Sequence, residues 1–301
     1  MKNIINLAFF IILGLLLLIG FYNQIAPWDA TEDFISGRPY TPAFSTLKHP
    51  LGTTEWDQDF AVHVSQSLLY NISISFKGCV LFVFFGIVFG LILGLVNDAP
   101  RKKMSIIKKP KYIFKFLVDM ITEITGSLPF LIILIIGVFY VNYYIDAENA
   151  SLRLEIIIGL IAFFSTHKLS VPLSDKIKSL RKEEFILAAK ASGITYSQLI
   201  FKHILYYEAK SLIIIQTINF FLFAMMMEIF LTVYNLGASA NDFSLGKLIL
   251  NSKQLLPLYV TGQLNNLQLI YMTILPFILI FLLCLTIRWF GQRVLIITDT
   301  K

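Results

Sequence analysis

Long apolar runs separated by polar segments dominate this chain. Each run is close to the roughly 20 residues that a helix needs to cross the hydrocarbon core of a bilayer. The pattern therefore predicts an all-α polytopic membrane protein with six transmembrane helices. The six runs occupy residues 4–21, 72–96, 116–141, 155–169, 209–234 and 267–288.

The first run, residues 4–21, also resembles a secretory signal peptide, because Lys2 precedes it. It is long for the apolar part of such a peptide, and no small-x-small cleavage site follows before Pro27 and Trp28. We interpret it as a retained first helix. The predicted layout is a first transmembrane helix at 1–22, an extracytoplasmic loop at 23–71, a five-helix core at 72–292 with a cytoplasmic loop at 170–207, and a cytoplasmic tail at 293–301.

Composition agrees with a membrane protein and excludes a soluble enzyme. Hydrophobic residues make up 56% of the chain and charged residues 15%, with a mean hydropathy of +0.73. A soluble domain carries about 25% charged residues. Cys79 and Cys284 both lie in apolar runs, so we predict two small core residues rather than a disulfide or a metal pair.

Charge orients the predicted helices in the membrane. Lys and Arg concentrate in residues 97–115 and 176–202, whereas residues 22–69 and 142–154 are acidic. Basic loops face the cytoplasm, so both termini are predicted to be cytoplasmic. The basic segment 97–115 could instead bind nucleic acid, but its position between two apolar runs favours the topological interpretation.

Two carboxylates stand inside or near apolar runs. Glu123 follows Asp119 by four residues near the start of the third run, and Glu228 lies deep in the fifth. Intramembrane acids are costly, so they need partners or mark a proton relay. We favour a structural role for Glu123 and predict that Glu228 is shielded from lipid with a hydrogen-bond partner. Gly78, Gly86, Gly90 and Gly94 in the second run predict close helix packing.

A polar island at residues 184–205 interrupts the apolar pattern. Its first half is rich in helix formers, and Gly193 then ends the helix as a residue that adopts positive φ easily. Thr195 and Gln198 have the spacing of a capping box. A second helix follows, and the island is therefore predicted to be a helix, a glycine turn and a helix, or simply a loop hairpin. One face of the second helix would carry Tyr196, Leu199, Ile200 and Ile204.

This island resembles the EAA signature of ABC importer permeases, in which a glutamate, two alanines, a glycine and a histidine recur at fixed spacing. In that family the loop is a coupling helix that docks into a cleft of the cytoplasmic ATPase. The resemblance implies the fold of a type I ABC importer permease and a bacterial plasma membrane location. Tyr206 stands where the family has proline. The matching residues are Glu184, Phe185, Ala188, Ala189, Lys190, Gly193 and His203.

Further stretches resemble the dipeptide, oligopeptide and nickel class of these permeases, and in particular its HPLGT-containing C-type subunit. Residues 49–53 read HPLGT and are followed by Asp59. Pro and Gly there predict a turn, and we prefer this to a metal-binding role for His49. Glu123 with Pro129, and Glu228 with Gly237, match acidic, proline and glycine positions of the class, which implies structural or pathway roles.

No catalytic or ATP-binding motif is visible in the sequence: HExxH, GxSxG and GxxxxGK[ST] are absent. We therefore expect a transporter subunit that is not itself an enzyme and holds no cofactor or metal. The resemblance implies a second permease subunit, two cytoplasmic ATPases that bind ATP and Mg, an extracytoplasmic binding protein and a peptide substrate, in contact with lipid but not nucleic acid. A nickel or metallophore importer and an ion-coupled secondary transporter using Glu123 and Glu228 remain alternatives, whereas a structural scaffold would leave the hairpin unexplained.

Overall fold

The computed structural model describes residues 2–22, 41–43, 50–54, 59–96, 110–145, 150–184, 186, 188, 192–195, 198–237, 243–262 and 266–299. Helices dominate these ranges, and an isolated antiparallel bridge joins Thr53 to Asp59. The helices are α1 Lys2–Gly20, α2 Phe60–Leu95, α3 Pro110–Ser127, α4 Phe130–Tyr144, α5 Ala150–Phe164, α6 His167–Leu180, α7 Leu199–Glu208, α8 Lys210–Val233, α9 Leu245–Val260 and α10 Asn266–Asp299.

Within the described residues, four helices are long and apolar enough to cross a membrane: α2, the stretch Leu152–Leu180, α8 and Ile270–Ile297. A fifth span results if α3 and α4 count together, and Phe9–Gly20 is a shorter apolar helix. The chain is therefore a multi-pass membrane protein. The count of six spans stays a prediction.

The third and fourth apolar runs differ from their predicted form. The single helix predicted at 116–141 is wrong, because α3 and α4 meet at 102° across Leu128 and Pro129. Proline lacks the N–H that a continuous helix needs, which explains the break. The fourth helix was predicted to end at Leu169, but the apolar helix runs on to Leu180 with one turn break at Ser165 and Thr166.

The chain divides into two compact units, of which the first comprises Met1–Ser75, Ile145–Leu154 and Met225–Phe290. Its polar turn at residues 50–53 confirms the turn predicted from HPLGT, with Gly52 at φ 76°. Asp59 begins α2 as a cap, since its Oδ1 accepts a hydrogen bond of 2.8 Å from the N–H of Ala61. His49 lies outside the described residues.

The second unit comprises Phe76–Tyr144, Glu155–Ala224 and Gly291–Lys301. In it, the glycines of α2 confirm the predicted close packing. A Cβ placed on Gly86 would lie 2.6 Å from the side chain of Leu169, and one on Gly90 would lie 2.8 Å from that of Leu173. Gly94 meets Ile177 in the same way, at 2.8 Å. Three successive turns of α2 thus fit against α6 without side chains of their own.

Candidate coupling hairpin and buried carboxylate

The polar island forms a hairpin at the end of α6 in the second unit. Glu184, Ile186 and Ala188 are helical, and a turn at Ser192 and Gly193 follows. Gly193 has φ 80°, and a Cβ on it would meet no atom within 4 Å. The glycine turn predicted from sequence is therefore confirmed, and its requirement for glycine comes from the backbone rather than from crowding.

Thr195 begins the second arm of the hairpin. Its Oγ1 accepts a hydrogen bond of 3.4 Å from the N–H of Gln198, as predicted from the capping spacing. The helix that follows, α7, has the wider hydrogen bonding of a π-helix, which the sequence pattern did not indicate. Of the predicted apolar face, Leu199, Ile200 and Ile204 are buried. The remaining member, Tyr196, lies outside the described residues.

An apolar cluster fastens the base of this hairpin to α6. Ile186 on the first arm and Leu199 and Ile204 on the second are buried together with Leu173 and Ile177 of α6. Because apolar residues from both arms share one core, the base of the hairpin and α6 form a single packed body.

Polar contacts add to this attachment. The guanidinium of Arg181 donates hydrogen bonds of 3.1 and 3.0 Å to the carbonyls of Gly94 and Leu95 at the end of α2. These carbonyls have no partner within their own helix, so the arginine satisfies them. Lys176 and Glu208 add an ion pair of 3.6 Å between α6 and α7.

The outer face of the hairpin is polar and small. Glu184, Ala188 and Gly193 are exposed, so this face is open to a partner. His203 is half-buried on α7, with its ring centroid 6.1 Å from that of Tyr207. Three further residues of the predicted coupling set lie outside the described residues: Phe185, Ala189 and Lys190.

Glu228 is buried in the first unit, as predicted, with no exposed surface. The amide of Asn71 on α2 donates a hydrogen bond to its Oε2, and the hydroxyl of Thr232 donates one of 2.9 Å to its Oε1. The hydroxyl of Ser244 also hydrogen-bonds the carboxyl group. These partners offset the loss of hydration that burial imposes on a carboxyl group.

The segment after Glu228 folds back over this group. Gly237 lies against Thr232, and a Cβ on Gly246 would lie 2.7 Å from the Cβ of Thr232. The hydroxyl of Ser244 accepts a hydrogen bond of 3.0 Å from the N–H of Lys247 and so caps α9. The glutamate and Gly237, which match one segment of the permease class in the sequence, thus belong to one packed structure around Thr232.

The other predicted pathway residues lie in the second unit. Glu123 is exposed on α3, and Pro129 is exposed at the bend between α3 and α4. Among the described residues, no group of three or more His, Cys, Asp or Glu side chains could hold a metal ion.

Sequence reasoning predicted a hydrogen-bond partner for Glu228 but named none of its three partners, which are Asn71, Thr232 and Ser244. All three are buried polar residues. Ser244 stands directly before the Leu-Gly-Lys-Leu stretch, and this was a usable helix-start signal for α9. Nothing in the local pattern indicates that Asn71 faces Glu228, because their contact spans 157 residues of chain.

The fold is that of an ABC importer permease, and the comparisons confirm the resemblance predicted from the sequence. The chain superimposes on one from the MetNI methionine ABC transporter, captured in inward-facing conformations, with TM-score 0.51 over 79% of this chain and 96% of that one, at 16% identity. A second crystal form of that transporter gives TM-score 0.49 over 77% and 94% of the two chains, at 16% identity.

Among curated proteins, the chain is 25% identical over 214 residues to the dipeptide transport system permease protein DppC of Alkalihalophilus pseudofirmus. The match covers 69% of this chain and 61% of that relative, so it spans less than two thirds of the relative's length. No protein-family model matches the sequence.

Proposed function

We propose that this chain is a transmembrane permease subunit of an ATP-driven ABC importer that carries dipeptides or oligopeptides. The observation that carries the proposal is the hairpin after α6: its outer face exposes Glu184 and Ala188 of the EAA-like sequence, and its base is packed into the core of the second unit. The similarity to a dipeptide transport permease supports the class of cargo.

The proposed assembly contains a second permease subunit, two cytoplasmic ABC ATPases and an extracytoplasmic substrate-binding protein. The ATPases bind ATP and Mg, since this chain carries no P-loop sequence. In the proposed orientation both chain termini are cytoplasmic, and the basic segments around the hairpin face the side where ATP is present. The location is the bacterial plasma membrane.

In the proposed mechanism the hairpin converts ATPase closure into movement of the helices. Glu184 provides a charged contact to the ATPase, and the small side chains of Ala188 and Ala189 let its backbone approach closely. Gly193 sets the turn that holds the two arms together. Because Ile186, Leu199 and Ile204 join the core around α6, displacement of the hairpin moves α6 with it. Alternating access follows from a shift between two such arrangements.

The test compares Gly193→Val with Gly193→Asn in the assembled transporter. Valine at positive φ costs about 1–2 kcal/mol, whereas asparagine tolerates this conformation. We expect normal membrane levels of both variants. For the valine variant, we expect ATPase copurification and peptide uptake to fall by about 5- to 30-fold, and for the asparagine variant values near the parent. Equal ATPase association and uptake in the parent and the valine variant would contradict the coupling role.

The second candidate function is an ion-coupled secondary transporter, and the observation that favours it is the buried carboxyl group of Glu228. The energy source of uptake distinguishes the two proposals. We expect uptake to stop when ATP is depleted and to persist when the proton gradient alone is collapsed. Excess nickel or metallophore is added to the peptide uptake assay to test the alternative cargo. Inhibition of peptide uptake by either would support a nickel or metallophore importer. Uptake that follows the proton gradient instead would support the secondary transporter.

A further inference from the structure

Helix α4 lies along α5 in the second unit. A Cβ on Gly137 of α4 would lie 3.4 Å from the side chain of Leu160 on α5. Residues 130–138 of α4 and residues 157–164 of α5 line the narrow apolar gap between the two helices. Because α5 forms the first part of a helix that is long and apolar enough to cross a membrane, α4 runs along the direction of that crossing.

Helix α3 does not share this direction. The bend of 102° at Pro129 turns it nearly perpendicular to α4. A Cβ on Gly126, near the end of α3, would lie 3.8 Å from the ring of His167, at the turn between α5 and α6. Beyond that turn α6 is polar and carries three charged residues: Asp175, Lys176 and Lys178. Helix α3 therefore lies across the spans at the depth where their apolar part ends.

Helix α3 has an apolar face on each of two opposite sides. One face packs on the protein, where Val118 is buried against Phe89 and Leu93 of α2. The opposite face consists of side chains spaced three and four residues apart, which lie on one side of a helix. Its members are each 42–43% exposed: Ile113, Leu117, Met120 and Ile124. Asp119 and Glu123 lie on the flank between the two faces.

Helix α4 by itself is short for a membrane crossing. Its 15 residues make about 22 Å of helix, whereas the hydrocarbon core of a bilayer is about 30 Å thick. A helix with its side chains is about 10 Å in diameter. Helix α3, which lies across the first residues of α4, therefore fills the thickness that α4 leaves uncovered.

The lipid of this leaflet is the partner that fits the exposed apolar face of α3. An amphipathic helix at a membrane surface lies with its apolar face about 5–10 Å deep, at the boundary between headgroups and acyl chains. Lys111 is exposed at the start of α3 and adds a cation where headgroup phosphates lie. Bulk water at the same face would leave large apolar side chains hydrated.

We propose that α3 lies in the plane of the membrane and binds, through its exposed apolar face, the phospholipids of the leaflet on the side of the hairpin. In the proposed orientation this is the cytoplasmic leaflet. Helix α4 alone then makes the crossing, and α3 anchors the inner end of α2 to the leaflet through Val118. The inference concerns the membrane fold and does not depend on the cargo.

The test measures the depth of spin labels in the assembled transporter, reconstituted in vesicles of phosphatidylethanolamine and phosphatidylglycerol. Cys79 and Cys284 are first replaced by alanine. Depth is obtained from the relaxation of each label by molecular oxygen, which concentrates in lipid, and by a water-soluble nickel chelate. Labels are attached singly to four variants at exposed positions of α3: Ile113→Cys, Leu117→Cys, Met120→Cys and Ile124→Cys.

We expect the four labels to be accessible to oxygen and to differ in depth by less than about 8 Å. A crossing helix would separate Ile113 from Ile124 by about 16 Å, at about 1.5 Å per residue. Glu123→Cys, on the flank of the same helix, should be more accessible to the nickel chelate than Ile124→Cys.

Helix α4 supplies the matched control, because its exposed side chains follow the crossing direction. Labels at Ile136→Cys, Tyr140→Cys and Tyr144→Cys should become steadily shallower, by about 12 Å in total.

Three results would overturn the inference, and each leaves the proposed importer intact. A depth that changes by about 16 Å from position 113 to position 124 would show that α3 crosses the membrane. Labels shielded from both oxygen and the nickel chelate would show that protein, such as a second permease, covers the face. Labels as accessible to the nickel chelate as the label at position 123 would show that the face lies in water.

Discussion

At the scale of single residues, the two carboxylates in apolar runs of the sequence differ in burial and in hydrogen bonding. Glu228 is fully buried and accepts hydrogen bonds from Asn71 and Thr232, whereas Glu123 is exposed on α3. Removing a buried partner leaves the other polar groups without hydrogen bonds, and that penalty exceeds the value of the bond itself. The two sites therefore offer a matched pair for substitution.

We predict that Glu228→Leu lowers the free energy of unfolding by about 1–3 kcal/mol, because the Asn71 amide and the Thr232 hydroxyl lose their acceptor. Glu228→Gln keeps an acceptor oxygen and costs less. Glu123→Leu, at an exposed position, serves as the control and has little effect. Thermal unfolding of the purified protein in detergent measures all three. A Glu228→Leu protein as stable as the parent would refute the role of this network.

Residue-level prediction succeeded where one local rule decides the outcome. Gly193 ends a run of helix formers, and its positive φ follows from the usual way in which helices terminate. The burial of Glu228 follows from the cost of a carboxylate in hydrocarbon. Its partners could not be predicted, because Asn71 and Ser244 read locally as ordinary polar positions. Only the packing of distant helices brings them to the carboxyl group.

At the scale of helices, the apolar pattern located the runs better than their breaks. Pro129 was a visible break signal, but apolar residues lie on both sides of it, so the run was predicted as one helix. His167 and Lys168 suggested an end to the fourth helix, yet the chain continues into α6. The π-helical bonding of α7 was also unpredictable, since its apolar positions fit an ordinary helix equally well.

The packing of α2 on α6 gives a prediction at this scale. Gly90→Leu forces a side chain into the space of Leu173, where even a Cβ would lie 2.8 Å away, and should cost about 1–3 kcal/mol of stability. Gly14→Leu on α1 is the control, because a Cβ there meets no atom within 4 Å. Thermal unfolding again provides the measurement.

A double variant makes the packing test specific. Leu173→Ala opens space opposite residue 90, so Gly90→Leu combined with Leu173→Ala should lose less stability than the sum of the two single changes. Strict additivity of the two losses would show that Gly90 and Leu173 do not share a packing site.

At the scale of the whole chain, the distribution of charge is the feature from which the orientation in the membrane is predicted. The basic residues beside the hairpin, such as Lys182, and the polar segment that contains α9 fall on opposite sides in the predicted topology. Asn251 on α9 and Lys182 after α6 are both described, whereas Asp57 and Lys102, which carry the same expectation, lie outside the described residues.

We predict that a cysteine at position 251 reacts with a membrane-impermeant thiol reagent in intact cells, and that one at position 182 reacts only after the membrane is opened. Cys79 and Cys284 are first replaced by alanine, since both are free thiols. Lys253→Cys, at an exposed position of the same helix as Asn251, controls for limited access. Labelling of position 182 in intact cells would contradict the predicted topology.

The spacing of glycines along α2 has a mechanical consequence. Three glycines of α2 each leave a gap that one side chain of α6 fills. The pairs, in chain order, are Gly86 with Leu169, Gly90 with Leu173 and Gly94 with Ile177. A shift of α6 along α2 by a single residue, about 1.5 Å, would move all three side chains out of the gaps at the glycines at once. Sliding of α6 along α2 is therefore resisted. A displacement of the end of α6 should accordingly move α2 together with it.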